Sequence, residues 1–213
     1  MKTIAFESSG QTLSVAACEN GKIISEYFFN AGMIHSETIL SSAEAMLKTI
    51  KWNMKDADRF AVSTGPGSFT GIRVAMAVVK TLSQSLNKQV VCVDCLSILE
   101  NNINIPFVKT VAAIDALRGE LFVKNKNDIV IVSVEKFIEN NKKHKNKIII
   151  AGNAAICHKD ILSKKLGRAC VSLNDKFHYP QASTLALMSE NMKAIAYNEI
   201  EPLYVRKSWA EEK

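Results

Sequence analysis

The stretch Ser63–Arg73, STGPGSFTGIR, decides the fold of this chain, because it joins an apolar segment to a helix through a glycine-rich turn. The preceding residues FAV suit a buried strand, and from Ile72 onward apolar residues recur at helical spacing. Backbone N–H groups at the start of such a helix can hold a phosphate. The stretch is therefore either a nucleotide-binding loop or a structural turn.

This loop differs from the Walker and dinucleotide-binding motifs at the positions that contact the phosphates. A Walker loop needs a lysine after its last glycine, and none follows here; the fingerprint GxGxxG is missed by one residue, because Gly71 comes late. The loop has the residues that a structural turn before a helix requires. Pro66 fixes a turn dihedral, Gly65 and Gly67 can take positive φ, and Ser68 or Thr70 can cap the helix. The structural interpretation is favoured.

Outward from the loop, the first hundred residues predict three strands followed by alternating helices and strands. The strand segments KTIAFESS, LSVAACENG and KIISEYFF alternate apolar with small or polar residues, and Asn20-Gly21 supplies a tight hairpin turn. A helical pattern follows in HSETILSSAEAMLKTI, and after the loop helix come a strand, QVVCV, and a short helix, CLSILENN. This order predicts a mixed sheet with helices packed on it.

The second half repeats this order of elements. Three strands (KTVAAIDA, GELFVKN, DIVIVS) precede a helix (VEKFIENN), a strand (KIIIAGN) and a helix (HKDILSKKLG); QASTLALMSENMKAIAY predicts a long final helix and EPLYVRKSW an extended tail. With INIPF as the joint, we expect domains at 1–104, carrying the GPGSFTG loop, and 105–213.

An acid ends the first strand of each half, Glu7 in one and Asp115 in the other. A duplicated β-β-β-α-β-α unit with such acids is similar to the class of actin, sugar kinases and Hsp70, whose two lobes face each other across a nucleotide cleft. The predicted fold class is therefore α/β, an actin-like ATPase (ASKHA, RNase H-like) fold with two lobes of mixed sheet and helices. The second lobe is reduced, because its copy is short and irregular.

Composition restricts the class of protein. With 213 residues, 47% apolar and 23% charged, the chain is ordinary globular material. The start does not resemble a signal peptide, and no apolar run is long enough to cross a bilayer, so we expect a cytoplasmic protein without a membrane partner. The cysteines number five, which favours reduced thiols. Cys92 and Cys95 form a CxxC motif. We favour the interpretation that they are two small apolar side chains over the interpretation that they carry redox or metal chemistry.

The positive charge lies in the second half. Residues 1–108 carry nine basic and nine acidic residues, whereas 109–213 carry eighteen and twelve, which accounts for the whole net charge of +6. The lysines gather in KKHKNK (142–147) and KKLGR (164–168). Such a surface could attract an RNA backbone or an acidic protein. No aromatic residue interleaves with these lysines in sequence, so a solvated face is the favoured interpretation.

The string STGPGSFTGIRVAMAVVKTLS resembles the signature of the TsaB (YeaZ) family, and FESSGQTLSVA, HSETIL, IDALRGELF and PLYVRKSWA match that family in the same order. The resemblance spans the whole chain. It implies a subunit of tRNA threonylcarbamoyladenosine biosynthesis, a non-catalytic paralogue of TsaD that acts with TsaD and the ATPase TsaE on ANN-decoding tRNAs. The expected partners are TsaD in a heterodimer, TsaE, and tRNA through the complex; a homodimer is a further expected state.

The resemblance also bears on cofactors. TsaD binds its metal through H-x-x-x-H, one helical turn apart; here HSETI supplies His35 but has Ile39 in the second position, so no metal site and no catalytic residue are expected. The family usually ends its first strand with Asp-Thr-Ser, whereas this chain has Glu7-Ser8-Ser9, and a longer side chain would misplace a tuned ligand. No cofactor is expected on the chain alone, with ATP or ADP at the interface of the complex.

Two sets of residues follow as candidates. Those expected to face a nucleotide are Glu7, Ser8, Gly65, Gly67, Ser68, Asp115 and Arg118. For Asp115 and Arg118, a mutual ion pair around a hairpin turn is an equal alternative. Those expected to contact a partner, on the first-lobe helices that the family places at its dimer interface, are His35, Glu37, Ser42, Ala43, Met46, Arg73, Met76, Ala77 and Lys80.

Apolar residues on these helices extend beyond the single face that packs on the sheet. The additional apolar surface is therefore expected to be covered, either by a partner or by another part of the same domain. The partner is favoured, because the predicted sheet covers one face only. The function predicted is thus a binding subunit that docks and activates TsaD. The alternatives are a weak ATPase or metallopeptidase of the same fold, and a direct tRNA-binding module.

Overall fold

The computed structural model describes residues 1–30, 35–103, 105–126, 128–144, 148–171 and 174–206, with backbone only at 35–37 and 169. The chain divides into two compact units. Unit 1 comprises Met1–Ile98 and Pro180–Pro202, and unit 2 comprises Leu99–Tyr179 with the described residues from Leu203 onward. The segment Pro180–Pro202 thus folds with the first half of the chain, whereas the sequence-based division at residue 104 assigned it to the second.

Unit 1 is built on a five-stranded mixed sheet in the order β3-β2-β1-β4-β5. Its strands are β1 (Lys2–Glu7), β2 (Thr12–Glu19), β3 (Lys22–Asn30), β4 (Arg59–Ser63) and β5 (Gln89–Val93). The first three pair antiparallel, and β4 and β5 run parallel to β1. Asn20 and Gly21 both have positive φ, as the tight turn predicted between β2 and β3 requires.

The helices of the first hundred residues are α1 (His35–Thr49), α2 (Phe69–Leu86) and α3 (Cys95–Asn101). Side chains alternate along β1, so Ile4 and Phe6 enter one core with α1 and α2, whereas Ala5 enters a second core on the opposite face. The predicted order of strands and helices is confirmed in this half.

Unit 2 is built on a four-stranded sheet in the order β8-β7-β6-β9 within the described residues. The strands are β6 (Lys109–Asp115), β7 (Glu120–Asn125), β8 (Asp128–Ser133) and β9 (Ile148–Ala151), and the helices are α4 (Val134–Asn141), α5 (Ala154–Cys157) and α6 (Lys159–Leu166). Strands β6, β7 and β8 pair antiparallel, and β9 runs parallel to β6. The predicted repeat of the element order is confirmed.

The last helix, α7 (Ala182–Ser189), is shorter than predicted. It packs on the alanine-rich face of the unit 1 sheet, where Ala182, Leu185 and Ala186 are buried. The chain then leaves the helix, and Ile195 forms an antiparallel bridge with Val90 of the edge strand β5. The long helix predicted over QASTLALMSENMKAIAY is therefore wrong, because this pairing needs extended backbone. Of the predicted tail, residues 207–209 lie outside the described residues.

Across the part of the chain that the structure describes, no helix combines the length and the apolar character needed to cross a bilayer.

Candidate functional site

The glycine loop lies against the turn that follows β1. The Ser68 N–H donates to the Ser9 carbonyl oxygen at 2.6 Å, and the Ser8 hydroxyl donates to the Gly71 carbonyl oxygen at 2.8 Å. A Cβ atom at Gly67 would come within 2.2 Å of the Ser9 carbonyl oxygen, and one at Gly71 within 1.9 Å of that of Ser8. Both glycines are therefore required by the close approach of two backbones, which supports the structural interpretation of the loop.

The same loop starts α2 and fixes α3. The Ser68 hydroxyl accepts a hydrogen bond from the Gly71 N–H at 3.2 Å, as an N-cap does. Gly65 has a φ of 98° and accepts a hydrogen bond from the Cys95 N–H at 2.8 Å. Of the loop residues predicted to face a nucleotide, Gly65 is buried, whereas Gly67 and Ser68 are exposed.

Glu7 is buried beneath this loop. Its carboxylate accepts hydrogen bonds from the backbone N–H of Ser9 at 2.6 Å and from the Ser9 hydroxyl at 2.5 Å. The Cys95 thiol in turn donates to the Ser9 hydroxyl oxygen at 2.9 Å. These contacts tie the end of β1 to the start of α3.

Burial raises the pKa of the Glu7 carboxyl above its ordinary value of 4.5, against an opposing effect of the hydroxyls of Ser63 and Ser9 and of the Ser9 N–H. Within the described residues, neither Glu7 Oε2 nor Ser63 Oγ makes a hydrogen bond of good geometry. A protonated Oε2 is a donor, so the neutral acid suits this environment better than the carboxylate.

The positions of Glu7 and Ser8 differ from the sequence prediction. Both were expected to face a nucleotide, but they are 1% and 0% exposed. Glu7 makes its contacts inside unit 1, and the Ser8 hydroxyl is bound to α2.

Asp115 lies at the end of β6 in a second polar cluster. Its backbone N–H donates to Asn153 Oδ1 at 2.8 Å, and its Oδ1 lies 2.9 Å from His158 Nε2. His158 was not among the predicted site residues. The parallel pairing of β6 with β9 could have indicated it, because residues that follow β9 arrive at the end of the sheet where Asp115 lies.

The hairpin after Asp115 is held by contacts from elsewhere in unit 2. Leu117, Arg118 and Gly119 all have positive φ in this turn. Glu120 forms an ion pair with Arg206, whose Nη1 also donates to the carbonyl oxygen of Ala116 at 2.9 Å. Asp115 itself contacts His158. The predicted alternative of a mutual pair between Asp115 and Arg118 stays a prediction.

Both thiols of the CxxC pair have raised pKa values. Burial raises the pKa of the Cys92 thiol to about 11, against an opposing effect of the Lys80 charge. Burial raises the pKa of the Cys95 thiol well above its ordinary value. Thiols with raised pKa values are poor nucleophiles. Among the described residues no cluster of three or more His, Cys, Asp or Glu side chains could hold a metal ion.

The metal position implied by the TsaD resemblance does not fit a metal ion in this chain. Ile39, which stands in the place of the second histidine, is fully buried in the core between the unit 1 sheet and its helices. An alkyl side chain has no atom that can bind a metal ion, and Ile39 instead packs in the apolar core of unit 1. The side chain of His35 lies outside the described residues.

The predicted partner residues divide into two groups. Ala43, Met46 and Met76 are at most 4% exposed and pack in the core of unit 1, so their inclusion in a partner surface was wrong. Arg73 and Ala77 are exposed, whereas Ser42 and Lys80 are partly exposed. For Glu37, as for His35, the structure describes the backbone only.

Two exposed apolar side chains on the same helices were missed by the sequence analysis. Leu40 on α1 and Phe69 on α2 are both 41% exposed. The Arg73 guanidinium lies over the Phe69 ring, 3.8 Å from its centroid. Helical spacing does not indicate their exposure, because Leu40 lies three residues before Ala43 and Phe69 three before Ile72, on the same stripes as those core residues.

A family model for TsaD, described as tRNA N6-adenosine threonylcarbamoyltransferase, matches residues 30–213. The chain belongs to the TsaD family. Among curated relatives, the TsaB protein of Bacillus subtilis is 26% identical over 100% of this chain and 97% of its own length. A tRNA N6-adenosine threonylcarbamoyltransferase of Kosmotoga olearia is 32% identical, but over 45% of this chain and 34% of its own.

Solved structures show the fold of this TsaD-family chain. YeaZ from Pseudomonas aeruginosa superposes with a TM-score of 0.73 at 20% identity, covering 95% of this chain and 99% of that one. Component A of the (R)-2-hydroxyglutaryl-CoA dehydratase of Acidaminococcus fermentans gives a TM-score of 0.50 at 10% identity, over 93% and 98% of the two chains. The predicted resemblance to TsaB and YeaZ and the actin-like fold class are confirmed.

Proposed function

We propose that this chain is a non-catalytic subunit of the machinery that forms threonylcarbamoyladenosine in ANN-decoding tRNAs. The observation that carries the proposal is Ile39, a fully buried alkyl side chain where the family resemblance places a metal-binding histidine. The relatives that match most of the chain are named for the biosynthesis of this nucleoside, which supports the pathway.

The buried position of Glu7 also favours a role without chemistry. In the actin-like class the first-strand acid addresses magnesium and phosphate, and here that acid is 1% exposed and bonded to Ser9. A weak ATPase or a metallopeptidase of the same fold is therefore disfavoured. ATP or ADP, if the machinery holds one, belongs in this proposal to the interface of the assembled complex.

The partner in this proposal is TsaD, which the chain docks and activates together with TsaE, in the cytoplasm. The surface we assign to docking is the outer face of α1 and α2, defined by Leu40, Ser42, Phe69, Arg73, Ala77 and Lys80. It exposes two large apolar side chains, a stacked arginine and a small alanine. Arginine and aromatic residues are enriched at protein interfaces.

The test is co-purification with the TsaD enzyme of the same organism. The change Ala77→Arg places a long charged side chain on the exposed centre of α2 and should abolish the complex and the tRNA modification together. The control is Leu187→Arg on α7, because Leu187 is 41% exposed and lies outside the docking face. Both variants should keep the unfolding temperature of the parent chain.

Two results would contradict the proposal. One is unchanged binding of TsaD by the Ala77→Arg variant. The other is ATP turnover by the purified chain alone that disappears in a Glu7→Gln variant, because that would make Glu7 a catalytic acid despite its burial.

A further inference from the structure

The sheet of unit 2 has two ends of different character. Strand β6 runs from Lys109 to Asp115, and its parallel neighbour β9 begins at Ile148, which pairs with Lys109. Lys109 and Ile148 therefore mark the amino end of these strands, and Asp115 marks the carboxyl end.

Both longer helices of unit 2 run from the carboxyl end towards the amino end. Ser133 caps α4 and pairs across the sheet with Glu120, which places the start of α4 at the carboxyl end. His158, directly before α6, is bonded to Asp115, which places the start of α6 at the same end. The short 3-10 turn Lys142–His144 that follows α4 packs against α6. The C-termini of the two helices are thus brought together.

This arrangement gathers basic side chains that are scattered in sequence. We define the basic end of unit 2 by six exposed cations: Lys109, Lys142, Lys143, Lys164, Lys165 and Arg168. In the described part of the chain, no carboxylate lies within 4.0 Å of any of them. Asp128 begins the outer strand β8 at this end, where Lys124 and Lys126 flank it in the hairpin.

Helix electrostatics explain only part of this cluster. Lys164 and Lys165 lie in the last turn of α6, where a cation is stabilised by the helix dipole. That effect falls off within one turn and does not account for Lys109 on a strand or for Arg168 beyond the helix. A concentration of unpaired cations on one surface instead fits a polyanionic partner.

An exposed aromatic ring lies at the same end. Phe107 precedes Lys109 by two residues, has a φ of 65° in a turn, and is fully exposed. The sequence shows no aromatic residue among the clustered lysines, and the fold supplies one by bringing the start of β6 next to β9. A fully exposed ring beside cations is the combination with which proteins stack an unpaired base and bind its phosphates.

We propose that the basic end of unit 2 and Phe107 together form a binding surface for structured RNA, with the cations on the phosphate backbone and the ring against an unpaired base. This surface goes beyond the proposed docking function, because it gives the subunit a direct contact with RNA. A lipid surface fits less well. Helices that lie on membranes present an apolar face, whereas α4 and α6 bury Phe137, Ile138, Leu162 and Leu166 in the core of unit 2.

The primary measurement is binding of bulk tRNA and of an RNA hairpin with an unpaired loop by the purified full chain, as a function of salt. If about four phosphates are neutralised, the affinity should fall about a hundredfold between roughly 50 and 200 mM salt. The paired change Lys164→Glu with Lys165→Glu should lower the affinity about tenfold or more and flatten the salt dependence.

Two further variants separate charge from stacking. The control Lys55→Glu with Lys193→Glu makes the same change in net charge at exposed positions of unit 1, and it should bind RNA nearly as the parent does. The change Phe107→Ala should weaken binding of the hairpin loop by roughly five- to a hundredfold and leave the salt dependence unchanged. It should have little effect on a fully paired RNA duplex.

The proposal is overturned if the parent chain fails to bind RNA at low salt, or if the two paired-charge variants lose affinity equally. It is also overturned if phosphatidylserine vesicles are bound and RNA is not, which would make the surface a membrane contact. The variants of the basic end should still co-purify with TsaD. Failure of the parent chain to bind RNA, with TsaD docking intact, would therefore overturn this inference alone, whereas unchanged docking by the Ala77→Arg variant would overturn the proposed function alone.

Discussion

Ser9 holds the carboxyl group of Glu7 with both its backbone N–H and its hydroxyl, at 2.6 and 2.5 Å. Two donors from one residue fix the carboxyl group at the end of β1, inside unit 1. A charged group in this position must do without water, and burial accordingly raises its pKa. The acid that could have bound a ligand therefore contributes to the structure of unit 1 instead.

This relationship predicts a pH dependence of stability. Between the ordinary pKa of 4.5 and the raised folded value, the unfolded chain is ionised at Glu7 while the folded chain keeps its proton. The contribution of Glu7 is therefore fully present below pH 4.5 and is lost as the pH rises through the folded pKa. The variant Glu7→Gln lacks this titration, so its stability relative to the parent should increase with pH.

Denaturant unfolding of both proteins across this pH range provides the measurement. Parallel stability profiles would show that Glu7 has the same pKa folded and unfolded. As a companion, Glu7→Ala should cost about 1–3 kcal/mol, because the Ser9 N–H would be left buried without an acceptor.

A second prediction concerns Asp115 and His158. Their contact at 2.9 Å is partly shielded from solvent, with the side chains 14% and 21% exposed. We expect a double-mutant cycle of Asp115→Asn and His158→Gln to give a coupling of about 1 kcal/mol, because each single change removes the same hydrogen bond. Additive effects in the cycle, within about 0.3 kcal/mol, would mean that the two groups do not stabilise each other.

Much of this fold could be predicted from sequence, because local patterns encode it. The turn at Asn20-Gly21, the cap at Ser68 and the repeated strand order all follow from residue chemistry within a few positions. The end of α7 could not be predicted from local patterns. It depends on the pairing of Ile195 with Val90, and these two residues are far apart in the sequence.

The candidate sites show the same limit. Chain spacing indicates which acid ends a strand, but it does not indicate which way the side chain turns, and Glu7 turns inward. Likewise, helical spacing gave the core stripe and the outer face of α2, but Met76 was assigned to a partner although it lies in the core. The meeting of Asp115 with His158 depends on strand pairing rather than on spacing along the chain.

A third prediction uses the cysteines. Cys157 is exposed, Cys92 is partly buried, and Cys18, Cys95 and Cys170 are buried. Under native conditions an alkylating reagent should therefore modify one thiol first, and a Cys157→Ser variant should lose that reaction. Mass spectrometry of peptides from the labelled protein identifies the site; early labelling of Cys95 would contradict the burial of the CxxC pair.

The rate of that labelling should respond to Asp115. Partial burial, and then the negative charge of Asp115, raises the pKa of the Cys157 thiol. Removing the charge in Asp115→Asn should lower the pKa and increase the thiolate fraction, so labelling at neutral pH becomes faster. A Glu120→Gln variant, which removes a carboxylate that is not among the groups acting on Cys157, should leave the rate unchanged.

The last prediction concerns the backbone contact between the glycine loop and the turn after β1. At an ordinary helical position, replacing glycine by alanine stabilises a helix by about 1 kcal/mol. At Gly71 the added Cβ would lie 1.9 Å from the Ser8 carbonyl oxygen, so one of the two backbones must move. We expect Gly71→Ala to destabilise the chain by about 1–3 kcal/mol, the usual cost of overpacking. Ser85→Ala at an exposed position of the same helix should change the free energy of unfolding by about 0.5 kcal/mol or less. A stabilised Gly71→Ala protein would show that the loop yields without cost, and the architectural role of its glycines would then be untenable.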